Sequence, residues 1–325
     1  MEKIKYQCFF ADTKFILVCH ENIIRKLSHY FGVYLLISPC LEINLLCNHI
    51  IIDFCLPDSI LYSNEIIIHG EKRAFMRNLG SSILIKDPEY KIQYKIEPPY
   101  YYICLTETLI SDEVHQEIFR FIRNLVVDVF SKLHKLHGAV LCYNNQAFCI
   151  LGDKGAGKST TSLRLLYNVP GMKFISNDKF LYDQGSETIY GIPSAISLFS
   201  DSIHNYFKNL EDKHDFIISD KKYFFINNII DSSSILSNSK LKFCFFIVDP
   251  SCFNKKISKM YEHQLISRSV INFSDKMSGV WLRNLLNIKK NKLSNLNKKI
   301  TYLFLEKNLD KSDDKLIEHV MNFIR

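Results

Sequence analysis

The run Gly152-Asp153-Lys154-Gly155-Ala156-Gly157-Lys158-Ser159 constrains this chain more than any other stretch of its length. Its spacing, Gly-x4-Gly-Lys-Ser, is that of a phosphate-binding loop. Gly155 and Gly157 let backbone N–H groups turn inward with no Cβ in the way. A helix starting at the loop adds its own unpaired N–H groups and its positive dipole end. Lys158 would neutralise β- and γ-phosphates, and the Ser159 hydroxyl would ligate Mg2+. An isolated glycine-rich turn would lack the flanks seen here, an apolar "QAFCIL" before the loop and a helical pattern over 158–167 after it. We therefore expect a nucleotide to contact Gly152, Asp153, Lys154, Gly155, Ala156, Gly157, Lys158, Ser159 and Thr160. The surrounding fold is then expected to be α/β.

Such a loop needs a metal-side carboxylate at a neighbouring strand end, because strand C-termini face the ligand in α/β sites. Asp178 closes "KFISND", and Asp249 closes "KFCFFIVD". Spacing favours Asp178; the alternative role for either is a turn cap. His137 has two readings. It is a helix-end histidine bonded to carbonyls, or a proton-handling group that the following hairpin returns to the loop.

Residues 1–110 read as a β-rich recognition domain. The runs "KFILVC", "YLLIS", "NEIIIHG", "SSILIKD", "KIQYKI" and "YYYICLT" are rich in β-branched and aromatic residues and separated by turn signals. Ser111 is a predicted N-cap, and Val114, Ile118, Phe121, Leu125, Val129, Leu133 and Leu136 recur at helical spacing. They predict a helix over 112–135 within a connecting segment 111–136, with Lys132, His134 and Lys135 at its C-terminal end. The nucleotide-binding domain would then span 137–325. It opens on "AVLCY" and "QAFCIL", a hairpin turning at Asn144-Asn145. Strands "ETIYG", "SAISLF" and "KLKFCFFIVDP" follow, then helical stretches near 264–272 and 276–288, and a final strand and helix.

A composition of 47% hydrophobic and 23% charged residues describes a globular chain with a substantial core. Its net charge of +7 suits an anionic ligand. The basic stretch Lys289–Lys299 has no interleaved aromatics, so nucleic acid is not an expected partner. Ten cysteines form no C-x-x-C pair and several lie in apolar runs, which fits reduced thiols in a cytoplasmic protein. The greasy Tyr34–Leu56 stretch is interrupted by Pro39, Glu42, Asn44, Asn48, His49 and Asp53, a pattern for two strands rather than a membrane span.

The segments "LHGAVLCYNNQAFCILGDKGAGKSTTSLRLL", "FISNDKFLYD" and "YGIPSAI" together resemble the HPr kinase/phosphorylase superfamily. They are also similar to the related serine kinases of bacterial peptide modification, including lasso-peptide kinases, and distantly to phosphoenolpyruvate carboxykinase. The resemblance implies an α/β (α+β) fold with a P-loop nucleotide-binding core of the HPr kinase/carboxykinase type and an N-terminal β-rich domain. It implies ATP, or another nucleoside triphosphate, with Mg2+ as cofactors, and a peptide or protein substrate. It implies Ser159 and Asp178 as metal ligands, His137 beside the transferred phosphate, and self-assembly as a homo-oligomer. Lys158, His137 and Asn177 are the catalytic positions it implies. Asn177 departs from the family, which carries an aspartate there as general base, and an amide cannot take a proton as a carboxylate does. Lys255 and Lys256 are further cations in reach on this reading, although a lysine pair is as readily a solvated loop. Three functions follow as expectations. One is a kinase acting on a serine-type hydroxyl. The second is a nucleotide-binding partner protein that recognises a precursor peptide without turning it over. The third is another nucleotide-dependent transferase.

Overall fold

The structure, a computed structural model, describes residues 3–40, 47–54, 65–69, 72–78, 83–87, 91–105, 111–153, 155–218, 220–248, 266, 300–306 and 313–324. Lys154, Asp249, Lys255, Lys256, the 289–299 basic stretch and, apart from Ile266, the two helical stretches expected at 264–288 lie outside these residues. The described chain forms two compact units, dividing between Lys132 and Leu133.

The first unit is built on a nine-stranded sheet. Its strands are β1 (Ile4–Phe10), β2 (Thr13–Cys19), β3 (Leu36–Pro39), β4 (Asn48–Phe54), β5 (Glu65–His69), β6 (Lys72–Asn78), β7 (Ile83–Asp87), β8 (Ile92–Glu97) and β9 (Tyr100–Leu105). They run β3-β1-β2-β4-β9-β8-β7-β6-β5, with β4 parallel to β2 and β9 and every other pair antiparallel. Among the described residues two α-helices accompany it. In α1 (Glu21–Phe31), Ile23, Ile24, Leu27 and Phe31 are buried at helical spacing, a pattern our strand-only reading of this region missed.

The other helix, α2 (Asp112–Asn124), starts where the N-cap signal put it, with the Val114 N–H donating to Ser111 Oγ at 3.3 Å. It packs into this first unit, where the Phe121 ring lies 4.2 Å from Tyr94. It does not run to residue 135. After a π-helical turn, Leu125–Phe130, the chain leaves the helix at Ser131. Asp12, in the β1–β2 turn, draws it out: its carboxylate accepts from Ser131 Oγ at 2.7 Å and from the Lys132 N–H at 3.1 Å. His134 and Lys135 consequently sit in a strand rather than at a helix end.

The second unit begins with that strand, β10 (His134–His137), followed by β11 (Ala139–Tyr143), β12 (Gln146–Gly152), α3 (Lys158–Asn168), β13 (Lys173–Ser176), β14 (Lys179–Asp183), β15 (Thr188–Gly191), β16 (Ile196–Phe199) and α4 (Ser200–Tyr206). Then come β17 (Phe216–Ile218), β18 (Lys221–Phe224), α5 (Ile226–Ile229), β19 (Asn238–Val248), β20 (Thr301–Glu306) and α6 (Asp313–Ile324). The main sheet runs β10-β14-β15-β19-β12-β11-β13, with β20 also on β19. Among the described strands of this sheet, β12–β19 and β19–β20 pair in parallel and the others antiparallel. β12 is buried from Ala147 to Leu151, as a strand covered on both faces must be, which is why it reads as an apolar run without alternation. Phe148 and Phe245 meet edge to face at 5.5 Å in its core, and each such buried side chain contributes about 1.5–3 kcal/mol. Asn144 and Asn145 both take positive φ, 49° and 61°, the requirement of a two-residue type I′ hairpin turn. A separate three-stranded sheet has the order β16-β18-β17. All eight described cysteines are free thiols, and no helix of the described residues is long and apolar enough to cross a membrane.

Candidate functional site

The glycine loop joins β12 to α3. At Gly152, with φ 154°, a Cβ would stand 2.9 Å from the Ile247 carbonyl oxygen, so only glycine lets β19 pass this close to the loop. Gly155 and Gly157 have φ of 80° and 95°, and a Cβ on either would meet nothing within 4 Å. The loop is therefore concave and open on that side. Gly157 is the N-cap of α3 and has no side chain to cap with, so no N-cap side chain takes up the first-turn N–H groups of α3. Such a cradle fits an anion. Across it lies Lys158, only 8% exposed, whose Nζ donates to the carbonyls of Gly152 and Asp153, each at 3.0 Å. Burial pulls its pKa below the ordinary 10.5, against the opposing pull of the Asp178 and Asp153 carboxylates. Thr160 turns elsewhere, its Oγ1 donating to Ser202 Oγ of α4 at 3.4 Å.

His137 and Asp178 come together beside this loop. Gly138 makes that approach available: a Cβ there would be 2.6 Å from Leu151 Cδ2 and 2.7 Å from the Ile150 carbonyl oxygen. The corner between β10 and β11 thus lies directly on the strand feeding the loop. The Gly138 N–H donates to the Asp178 carbonyl at 3.0 Å, and His137 Nδ1 stands 3.2 Å from Asp178 Oδ1. Both side chains are partly open, 34% and 46% exposed.

Asp178 sits in a tight turn with φ 70°, closed by the Lys179 N–H donating to the Asn177 carbonyl at 2.8 Å. A non-glycine residue in this region costs about 1–3 kcal/mol and persists only when its surroundings enforce it. Here Ser194 Oγ also donates to the Asn177 carbonyl, at 2.7 Å. Ser176, fully buried, donates through Oγ to the Lys179 carbonyl and accepts from the Ile192 N–H at 3.2 Å. This serine framework was not singled out from the sequence, although Ser194 lies within "YGIPSAI". Asn177 itself points inward. It is 2% exposed, and its Oδ1 has no hydrogen-bond partner. Of the residues expected to act together, the structure thus gathers Lys158, His137 and Asp178 around the loop and buries the Asn177 amide behind it.

Tyr223, on β18, is a residue sequence reasoning did not reach, because no local signal marked the β17–β18 hairpin. Burial, then the charges of Asp178 and Asp220, hold its phenol above the usual 10.0. Among the described residues no group of three or more His, Cys, Asp or Glu side chains could hold a metal ion. A donor set of one carboxylate and one hydroxyl, Asp178 and Ser159, instead suits Mg2+ brought in on phosphates, which keeps several ligands of its own.

No protein-family model matches this chain, and no curated protein matches it. Among solved structures, it is similar to the Hpr(Ser) kinase/phosphatase from Coxiella burnetii. That match has 15% identity and a TM-score of 0.26, and it covers 38% of this chain and 70% of the other.

Proposed function

We propose that the chain is an ATP- and Mg2+-dependent kinase that transfers the γ-phosphate to a serine-type hydroxyl of a peptide or protein. The observation that carries this reading is the His137–Asp178 pair standing next to an open glycine cradle crossed by Lys158. In the reaction the acceptor oxygen forms a bond to Pγ as the bond from Pγ to the β,γ-bridging oxygen breaks, releasing ADP. The hydroxyl proton passes to His137 Nε2, while Asp178 on Nδ1 orients the ring and stabilises the resulting imidazolium. Lys158 exchanges its loop carbonyls for phosphate oxygens, and the α3 N-terminus takes the remaining phosphate charge. Mg2+, held by Ser159 and Asp178, would supply charge neutralisation on the β- and γ-phosphates. The test is mass spectrometry of candidate peptides after incubation with Mg2+-ATP: a gain of one phosphate, abolished by Lys158→Ala and Asp178→Ala, supports the reading. Label transferred from the α-phosphate would indicate another class of transferase.

A second reading is favoured by Asn177, whose buried amide leaves no carboxylate at that position. On it, the chain is a nucleotide-binding partner protein that recognises a precursor peptide. Nucleotide would then alter peptide affinity with no phosphorylated product formed.

A further inference from the structure

Among the described strands, β3 closes one end of the nine-stranded sheet and is bonded to β1 alone. Its pairing fixes which groups face outward. The Cys40 N–H donates to the Lys5 carbonyl at 3.0 Å, and bonded pairs alternate with non-bonded ones along an antiparallel ladder. Gln7–Ser38 and Phe9–Leu36 are then bonded pairs, and Cys8–Ile37 and Tyr6–Pro39 are not. Pro39, which lacks an N–H, falls where none is needed. The N–H and C=O of Ile37 and the C=O of Pro39 therefore point outward from the edge. The side chains divide by face. Cys8, Phe10 and Phe15 are buried on one, where the Phe31 ring of α1 lies 6.2 Å from Phe10. On the other, Leu36, Phe9 and Lys14 form one row across β3, β1 and β2, and Cys40, Lys5 and Val18 form another. Leu36 is 68% and Phe9 39% exposed, and Lys5 and Lys14 are exposed with them; the open part ends at the buried Ile16. The Lys14 ammonium lies 5.5 Å from the centre of the Phe9 ring. Among the described residues neither Lys5 nor Lys14 has an acidic partner.

We propose that β3 is a docking edge for an extended acidic peptide, which adds to the sheet as one more antiparallel strand. The inference rests on the reading above that the chain acts on a peptide, and it names that peptide's class. Sheet edges are normally guarded by charges or bulges, and Leu36-Ile37-Ser38 carries no charge. Strand addition takes its affinity from the main chain, here the outward groups of Ile37 and Pro39, and its selectivity from alternate side chains. Charge complementarity selects the occupant. A second copy of this chain, pairing β3 with β3 about a two-fold axis, would bring the Lys5 row of one copy beside the Lys14 row of the other, cation against cation. An acidic strand meets both with the opposite sign. The preferred pattern follows from the rows. A peptide residue opposite Leu36 lies against Leu36 and Phe9 and is apolar. One opposite Cys40 is about 10 Å from β1, two strand spacings, with only the small Cys40 side chain between. A glutamate there reaches Lys5. In an antiparallel strand the glutamate comes first and the apolar residue four positions later.

The test uses the full chain and fluorescein-labelled peptides of threonine and alanine carrying one glutamate and, four positions later, one leucine. Anisotropy without nucleotide is expected to show binding about tenfold tighter than when the glutamate is replaced by alanine, the size of one charge-assisted bond. Lys5→Glu should transfer that preference to peptides with lysine in place of the glutamate. N-methylation of the residue before the leucine removes the N–H aimed at the Ile37 carbonyl and should abolish binding. N-methylation of the leucine itself, whose N–H points away, should leave it intact. Thermal melts report that each variant is folded. Equal loss from the two N-methyl peptides, or a glutamate preference that survives in Lys5→Glu, overturns the proposal. So does a dimer by light scattering that Leu36→Lys dissociates, which would give the edge to a second copy. Phosphate transfer is read separately on peptides with an added serine. Acid-selective binding with no transfer under Mg2+-ATP upholds the docking edge and refutes the kinase, whereas transfer without that selectivity does the reverse.

Discussion

His137 and Asp178 stand 3.2 Å apart, Nδ1 to Oδ1, at the ends of two segments that meet only because Gly138 allows β10 and β11 to bend against β12. If His137 receives the acceptor proton, His137→Gln will lower phosphate transfer by about 10²- to 10⁴-fold while leaving nucleotide affinity nearly unchanged. Asp178→Asn will do the same and will also raise the Mg2+ concentration needed for half-maximal rate. Steady-state kinetics against Mg2+ and nucleotide titration separate the two effects.

Lys158 is a buried ammonium bonded to two loop carbonyls. Lys158→Ala is expected to weaken nucleotide binding by roughly ten- to a hundredfold, the worth of a charged hydrogen bond, as read by titration calorimetry. Because burial lowers its pKa, the free protein loses this proton at lower pH than an ordinary lysine. A bound phosphate raises the pKa again. Affinity will therefore fall as pH rises through the free-state value, with proton uptake on binding visible as a dependence of heat on buffer.

The loop glycines divide into two classes. Gly152→Ala brings a Cβ against the Ile247 carbonyl and should lower the melting temperature, at a cost of about 1–3 kcal/mol. Gly155→Ala has open space around its Cβ and pays only the positive-φ penalty, about 1 kcal/mol. It should nonetheless lose nucleotide binding, because the added methyl occupies the concave side. Thermal melts with and without ATP distinguish the two.

The buried edge of the site carries a different expectation. Asn177→Asp places a carboxyl where there is almost no solvent and where Oδ1 has no donor. The variant should be less stable by about 1–3 kcal/mol at neutral pH. Its carboxyl pKa is raised by folding, so stability is recovered as pH falls through that raised value. Denaturant melts across acidic to neutral pH, compared with the parent, read this directly. A gain of kinase activity in this variant would favour the non-catalytic reading of the parent.

His134 gives a pH dependence unrelated to catalysis. Burial holds its pKa below the ordinary 6.5, with Asp183 opposing, and its Nδ1 has no hydrogen-bond partner. The unfolded chain then binds a proton that the folded one does not. Stability is complete above 6.5 and declines as pH falls toward the lower folded value. His134→Gln should flatten the dependence of the melting temperature across that window.

The loop, its flanking strand and helix, and the Asn144-Asn145 hairpin were legible because each rests on local chemistry: glycines at positive φ, an apolar run, an asparagine pair in a tight turn. The segment after Phe130 was not. Leu133 and Leu136 fit helical spacing as well as a strand, and Asp12, which ends the helix, lies far back in the chain. Likewise, the sequence shows Asn177 and Asp178 as neighbours but not which one faces water. That depends on the φ 70° turn, held by Ser176 at the end of β13 and by Ser194 in the segment between β15 and β16.

What holds Asp178 in place is the main-chain carbonyl of Asn177, which accepts from both Lys179 and Ser194. The side chain at position 177 takes no part in that support. Exchanging amide for acid at 177 therefore leaves the main-chain support of the Asp178 turn in place. The turn is held by the main chain of residue 177 and the buried side chain is carried beside it, so a substitution there is felt through burial rather than through the turn.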